Sequence, residues 1–303
     1  MFTKCPQRKR IAHNQMNYYP FDSHPPKRIS FVLVTKNRAP YLAHALERMR
    51  KLVTKEDEFI LIDGGSTDGT RDTISRYQDI IDVVVSEPDT DATNAVNKGI
   101  LLARGKYIKH LSDDDTFYPE AIEQSVRIME EHPEIDLLLC GGTKERNGKV
   151  WDYSVPPGVN YGKSVEDVFR YKGASGVGQF IQRSSLARLG VLIPTGVNTD
   201  TEFVAELIVR GAVVRFCRIN SYHHIIYDHS LTVRDKRGHG EDTKRLVKKY
   251  CSQWFYFKYR LRNLDREVPI IAGLWLLLKK GRYTSGGMAK SHLRDVEWDG
   301  EFS

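Results

Sequence analysis

Cysteine is scarce in this chain: Cys5, Cys140, Cys217 and Cys251 are four among 303 residues, and no two form a C-x-x-C pair. That excludes a disulfide scaffold and a thiolate zinc site, and it points to a reducing compartment. Long apolar runs are absent too. The most apolar late stretch, Val268 to Leu278, falls well short of the ~20 residues a spanning helix needs. The basic start (Lys4, Arg8, Lys9, Arg10) has no apolar segment behind it, so no signal peptide is expected and a cytoplasmic location is. The turn after the first apolar segment lacks G-x-G-x-x-G, which disfavours a dinucleotide-dependent oxidoreductase. It also lacks the glycine- and basic-rich phosphate loop of a nucleotidyltransferase. No nucleic-acid recognition motif accompanies the basic charge, so nucleic acid is not an expected partner.

What is present is a soluble globular composition, 40% hydrophobic and 28% charged, enough for one large domain with an appendage. The net charge of +7 suits phosphorylated substrates or an anionic membrane face. Residues 1–27 are polar and proline-bearing and read as an arm. From Arg28 to Cys140 short apolar runs alternate with helical patterns. Strands are predicted at Arg28–Thr35, Glu58–Ile62, Ile80–Val85, Tyr107–Leu111 and Ile135–Cys140. Helices are predicted between them, with Ala95, Val96, Ile100 and Leu101 inward on the third, and Pro119 in the first turn of the fourth. This alternation predicts an α/β fold with a mostly parallel central sheet flanked by helices. Gly141 to Gly178 reads as irregular with short strands. A helix at Thr201–Arg210 and a strand at Ala212–Cys217 rejoin the sheet, and a basic, aromatic, helical extension covers 231–303.

Two acidic clusters each follow an apolar strand: Asp63-Gly64-Gly65-Ser66-Thr67-Asp68-Gly69-Thr70 and Asp113-Asp114-Asp115. At the carboxyl ends of parallel strands they would share one crevice. Three adjacent carboxylates call for a positive partner, and Mg²⁺ or Mn²⁺ on hard oxygen ligands is the simplest. Asp63 is placed to accept from the N–H groups of a base, and its neighbouring glycines let a planar ring approach. Both clusters also have plainer readings, as an Asx turn and as acidic residues preceding a helix. In Ser86 to Gly99, Lys98 could meet a phosphate and Asn94 a ribose or sugar hydroxyl. Thr199 and Glu202 match a capping box, which gives the intervening Asp200 a structural explanation beside a general-base one. His223, His224 and His229 could add a metal ligand or an acceptor contact.

Six segments in order, Ser30–Arg38, Asp63–Thr70, Ser86–Asp89, Asn97–Ile100, Ala103–Lys106 and Leu111–Asp115, resemble the inverting family 2 glycosyltransferases of GT-A fold. The match is firm over residues 28 to about 120 and looser to about 220. It implies a GT-A domain over 28–230, with a nucleotide-sugar half at 28–120 and an acceptor half at 121–230. It implies a UDP- or GDP-type nucleotide-diphosphate-sugar donor and a saccharide or lipid-linked acceptor. It sets Thr35 and Arg38 beside the nucleotide and Asp63 at the base, with Ser66 also among the nucleotide-sugar-binding residues. Asn94 and Lys98 would contact the donor. Asp113 and Asp114 fall near ribose and metal, and Asp115 on the Mg²⁺ or Mn²⁺ that holds the diphosphate. The catalytic base falls on Asp200, with Glu202 as fallback. Two departures stand out: Asn94 replaces an aspartate common in relatives, and Thr199-Asp200 replaces a Glu-Asp pair. Beyond Ser230, Val268 to Leu278 with Lys279-Lys280 could rest in a membrane interface. The alternative outside enzymology is a degenerate protein that binds donor without turning it over.

Overall fold

The structure, a computed structural model, describes residues 26–267 apart from 172, 193–195, 228–232 and 234. Nearly all of the N-terminal arm, Val268 to Leu278 and His229 lie outside the described residues. Strand β1 (Ile29–Thr35) sets the frame. Its side chains alternate, so Phe31 and Leu33 enter one core cluster and Val32 the other. A strand apolar on both faces must be covered on both. On the first face lie α1 (Ala39–Leu52) and α4 (Pro119–Glu131), which supply Leu42, Leu46, Met49, Ile122, Val126 and Met129. On the second lie α3 (Ala92–Leu102) and α7 (Thr199–Val209), with Val96, Ile100, Phe203, Val204 and Leu207.

Beside β1 run β2 (Glu58–Asp63), β3 (Val83–Ser86) and β4 (Tyr107–Leu111). The remaining strands are β5 (Thr116–Phe117), β6 (Leu137–Arg146), β7 (Lys149–Tyr153), β8 (Gln179–Gln182) and β9 (Val214–Ile225). The sheet order is β3-β2-β1-β4-β8-β6-β9-β5, with β7 on β6. The α/β architecture with flanking helices is as expected. Parallel pairing joins β3-β2-β1-β4 and the β6–β9 pair, while β8, β5 and β7 run against their neighbours. Because β1 has β2 on one side and β4 on the other, the chain reverses its winding there. The crevice beyond the carboxyl ends of β1 and β4 is where open α/β sheets take ligands.

Three expectations need correction. Leu101 is 73% exposed: the buried stripe is Ala95, Val96, Gly99 and Ile100, and Leu101 lies a further ~100° round the helix. The strand expected to end at Cys140 does not: β6 continues to Arg146 and turns back into β7, one of the short strands expected after it. Asn147 and Gly148 make that turn with φ of 52° and 74°, the two-residue hairpin geometry that Asn-Gly favours. Strand β9 likewise runs on to Ile225 instead of ending at Cys217, and this extension carries His224 to the crevice. Short helices α2 (Thr70–Ser75), α5 (Val165–Arg170) and α6 (Leu186–Leu189) fill the connections, and α8 (Lys236–Tyr250) and α9 (Gln253–Glu267) follow β9. Among the described residues no helix is long and apolar enough to cross a membrane.

Candidate active site

Strand register makes Thr35 and Asp63 neighbours at the ends of β1 and β2. The loops that follow are tied together residue by residue. Asn37, in the left-handed region at φ 52°, accepts from the Thr67 N–H at 2.9 Å, and its own N–H donates to Ser66 Oγ at 2.8 Å. Asp68 accepts from the Ala39 and Thr70 N–H groups. Gly65, at φ +78°, turns the chain where a Cβ would be strained. The expectation that Gly64 opens space for a planar ring is corrected: the Asp89 carboxylate occupies that space, and a Cβ on Gly64 would lie 2.2 Å from its Oδ2. Lys36 pairs with the same Asp89 at 3.0 Å.

Asp63 is fully buried. It accepts from the Ser66 N–H and hydroxyl and from Ser86 Oγ at 2.6 Å, with Arg71 Nε at 3.5 Å. Burial pushes this carboxyl up, but the serine hydrogen bonds outweigh it and hold Asp63 below its ordinary value. A carboxylate has about four acceptor positions. Ser66 and Ser86 fill three, so Asp63 keeps room for one more donor in place of the long Arg71 contact. Ser66 is itself buried and serves to hold Asp63 and the Asn37 turn.

The three consecutive aspartates have three different environments. Asp113 accepts from Thr35 Oγ1 at 3.1 Å and from Arg38 Nε at 3.2 and 3.1 Å. Asp114 accepts from Arg38 Nη2 at 3.2 Å and from Ser112 Oγ. Arg38 thus supplies much of the positive charge that the sequence assigned to a cation alone. Asp115 is different. It is 1% exposed; its Oδ1 meets His224 Nδ1 at 2.5 Å, and its Oδ2 is buried with no partner. The contact follows from the pairing of β5 with β9, which sets Thr116 opposite His223 and so Asp115 opposite His224. His223 turns the other way, to Thr143 and Glu145. Burial raises the Asp115 carboxyl more than His224 lowers it.

An orphaned buried carboxylate oxygen suits Mg²⁺ or Mn²⁺, and the imidazole beside it favours Mn²⁺ of the two. Among the described residues no three His, Cys, Asp or Glu side chains form a cage for a metal ion. Mg²⁺ commonly takes only one or two carboxylates and completes its shell with phosphate and water.

Asp200 opens α7 over the end of β4. Its Oδ2 accepts from the Gly176 N–H at 3.0 Å and its Oδ1 from the Thr201 N–H at 2.7 Å. Gly176 lies between it and His110: an ideal Cβ there would be 3.6 Å from both Asp200 Cβ and His110 Nδ1. The turn bearing Gly176 is held by the fully buried Lys109, whose ammonium donates to the Val177 carbonyl. Burial brings the Lys109 ammonium down to about 8. Neither Lys109 nor His110 stood out in the sequence, because strand residues before an acidic loop carry no motif of their own. Thr93 Oγ1, at the start of α3, donates to Thr199 Oγ1 at 3.3 Å and links the two helix starts that bear Asn94 and Asp200. The Asn94 N–H is capped by Asp91. Lys98 pairs with Glu87 at 2.9 Å and donates to the Pro88 carbonyl, so it braces the loop over Gly64.

The capping box expected at Thr199 and Glu202 does not form. Asn198 is the N-cap, without a side-chain cap, and Glu202 points to α8. There it is buried against Arg245, Lys249 and Tyr250 at 2.9, 2.9 and 3.0 Å, which removes it as fallback base. Asp242 of α8 accepts from the Val197 and Asn198 N–H groups at 3.1 and 2.9 Å, and His239 meets Asn198 Oδ1 at 2.8 Å. Helix α8 therefore fixes the approach to Asp200 from behind. Asp242→Ala is expected to destabilise the fold by about 1 kcal/mol, as loss of a cap does, measured as a fall in melting temperature. No change would show that water replaces the carboxylate at no cost.

The fold has counterparts among solved structures. S. aureus TarS in complex with UDP-GlcNAc matches with TM-score 0.59 at 16% identity, over 74% of this chain and 65% of that one. The mannosyltransferase PcManGT from Pyrobaculum calidifontis, with GDP-Man and Mn²⁺, matches with TM-score 0.55 at 16% identity, over 75% and 66%. At these identities the likeness is one of fold, and the fold is GT-A. Among curated sequences, the uncharacterized glycosyltransferase RP339 of Rickettsia prowazekii is 29% identical over 141 residues, 46% of this chain and 44% of its own. TuaG of Bacillus subtilis, named for teichuronic acid biosynthesis, is 30% identical over 106 residues, 34% of this chain and 42% of its own. The chain thus spans less than half the length of these relatives. Residues 30–190, more than half of the sequence, match the sequence model of glycosyl transferase family 2. That span takes in every loop of the crevice from Thr35 to Asp115, and the chain belongs to glycosyl transferase family 2.

Proposed function

We propose that this protein transfers a sugar from a UDP- or GDP-type nucleotide-sugar donor to a hydroxyl of a saccharide or lipid-linked acceptor, with inversion at the anomeric carbon. The observation that carries this reading is the unpartnered Asp115 Oδ2, buried beside His224 in the crevice that also receives Asp63 and Arg38. Family membership and neighbours named with UDP-GlcNAc and GDP-Man support the donor class. Asp63 would take an N–H of the base into its remaining acceptor position. Thr35 and Arg38 would flank the nucleotide, with Asp114 at the ribose, and Asn94 on the sugar side. Asp115 and His224 would hold Mg²⁺ or Mn²⁺. Asp113 is already matched to Arg38 and would orient that guanidinium. The ion, when bound, supplies Lewis-acid stabilisation of charge on the departing diphosphate.

Asp200 is the proposed general base. Each of its oxygens accepts one backbone N–H, which fixes the carboxylate yet leaves lone pairs for the acceptor hydroxyl. In a single displacement the acceptor oxygen bonds to the anomeric carbon as its proton passes to Asp200. The bond from that carbon to the diphosphate oxygen breaks, and the nucleoside diphosphate leaves with the electron pair. Direct attack opposite the leaving group inverts the configuration. Incubation with a panel of UDP- and GDP-sugars should release nucleoside diphosphate with Mn²⁺ and not with EDTA, and a product trapped on an acceptor should show the inverted anomeric coupling by proton NMR. Binding without release from any donor would mark a degenerate protein, and a retained configuration would remove Asp200 from its role.

A further inference from the structure

The outward face of α9 runs against the usual pattern. A helix on a water-facing surface directs its charged side to solvent and its apolar side to the core. In α9 Trp254, Phe257 and Leu261 are large apolar side chains open to water, at 64%, 51% and 51% exposure. Their spacing of three and four places them on one face. Trp254 and Phe257 stack with ring centroids 5.8 Å apart, and the Lys258 ammonium lies 4.8 Å over the Trp254 ring. The opposite face is engaged: Phe255 sits under Arg170 at 5.6 Å, and Phe255, Tyr256 and Tyr259 are less exposed.

The charge around this stripe is also one-sided. Residues 236–267 contain ten Lys and Arg against four Asp and Glu, and so hold six of the chain's seven net positive charges. Arg245 and Lys249 are committed to Glu202, while Lys248 and Lys258 are exposed. A protein partner in an apolar groove would not require this surplus. An anionic bilayer would, because its surface potential attracts clustered lysine and arginine while tryptophan, phenylalanine and leucine enter the headgroup boundary.

We infer that the Trp254–Phe257–Leu261 face of α9 docks on an anionic membrane surface. This deepens the proposed function by giving the acceptor a lipid-borne source, but the docking is testable without any turnover. The full-length protein is floated with vesicles of phosphatidylcholine alone or with phosphatidylglycerol added. Wild type should rise with the phosphatidylglycerol vesicles, stay below with phosphatidylcholine alone, and lose binding as salt shortens the screening length. The triple variant Trp254→Ser, Phe257→Ser, Leu261→Ser should bind at least about tenfold more weakly with an unchanged melting temperature. Wild type that fails to float, as it would were this face covered by residues after Glu267, overturns the inference. A triple variant that floats as well as wild type overturns it equally. If docking holds and no nucleotide sugar is turned over, the transferase reading fails while the surface assignment stands.

Discussion

Asp200→Asn is expected to lower sugar transfer by about a thousandfold, within the range that a positioned general base contributes, while nucleotide affinity stays within about twofold. Asparagine keeps the shape of the side chain, and its carbonyl can still accept from the Gly176 or Thr201 N–H. What it loses is the ability to take the acceptor's proton. Asp200 makes its hydrogen bonds to Gly176 and Thr201 and none to Arg38, Asp63 or Asp115, so the substitution should leave the proposed donor contacts intact. Steady-state kinetics should place the loss in kcat and leave the donor KM nearly as it was. Turnover at the wild-type rate would assign the base elsewhere. It would not return to Glu202, whose oxygens are spent on Arg245, Lys249 and Tyr250.

Asp115→Asn is expected to weaken Mn²⁺-dependent nucleotide binding by about 100-fold, given that a bound ion supplies several kcal/mol of charge stabilisation. Asp113→Asn provides the contrast. Asp113 is matched to Thr35 and Arg38, so its substitution should remove no metal ligand and should weaken nucleotide binding equally with and without Mn²⁺. Calorimetry on the two variants separates these outcomes. Were Asp113→Asn to abolish the metal dependence and Asp115→Asn to leave it intact, the ligand would be Asp113, which the family resemblance also sets near the metal.

The first half of the fold, from β1 to β4, was legible because its signals are local. Buried strands read as apolar runs, and Tyr107–Leu111 and Pro119–Glu131 begin and end where composition and proline place them. Asp63 and the Asp113–Asp115 run stood out because acidic residues straight after such strands have few structural uses. What the sequence hid depends on distant segments. Asp115 and His224 are 109 positions apart, and only the register of β5 on β9 joins them. The division of labour within the aspartate run was hidden for the same reason, since Arg38 belongs to another loop. At α7 a local rule misled: T-x-x-E matches a capping box, yet the buried Glu202 gains more from two cations on α8 than from its own helix start. The partners that position Asp200, Gly176 on one side and α8 on the other, leave no mark near Asp200 in the chain.

The central claim is that Asp63, Arg38 and Asp115 form one pocket for a nucleoside diphosphate and its cation. Titration of the wild-type protein with UDP and with GDP, each in Mn²⁺ and in EDTA, tests it most directly. At least one nucleotide should bind more tightly with Mn²⁺, by about 100-fold or more. Equal affinity in both buffers, or no binding of either nucleotide, would contradict it.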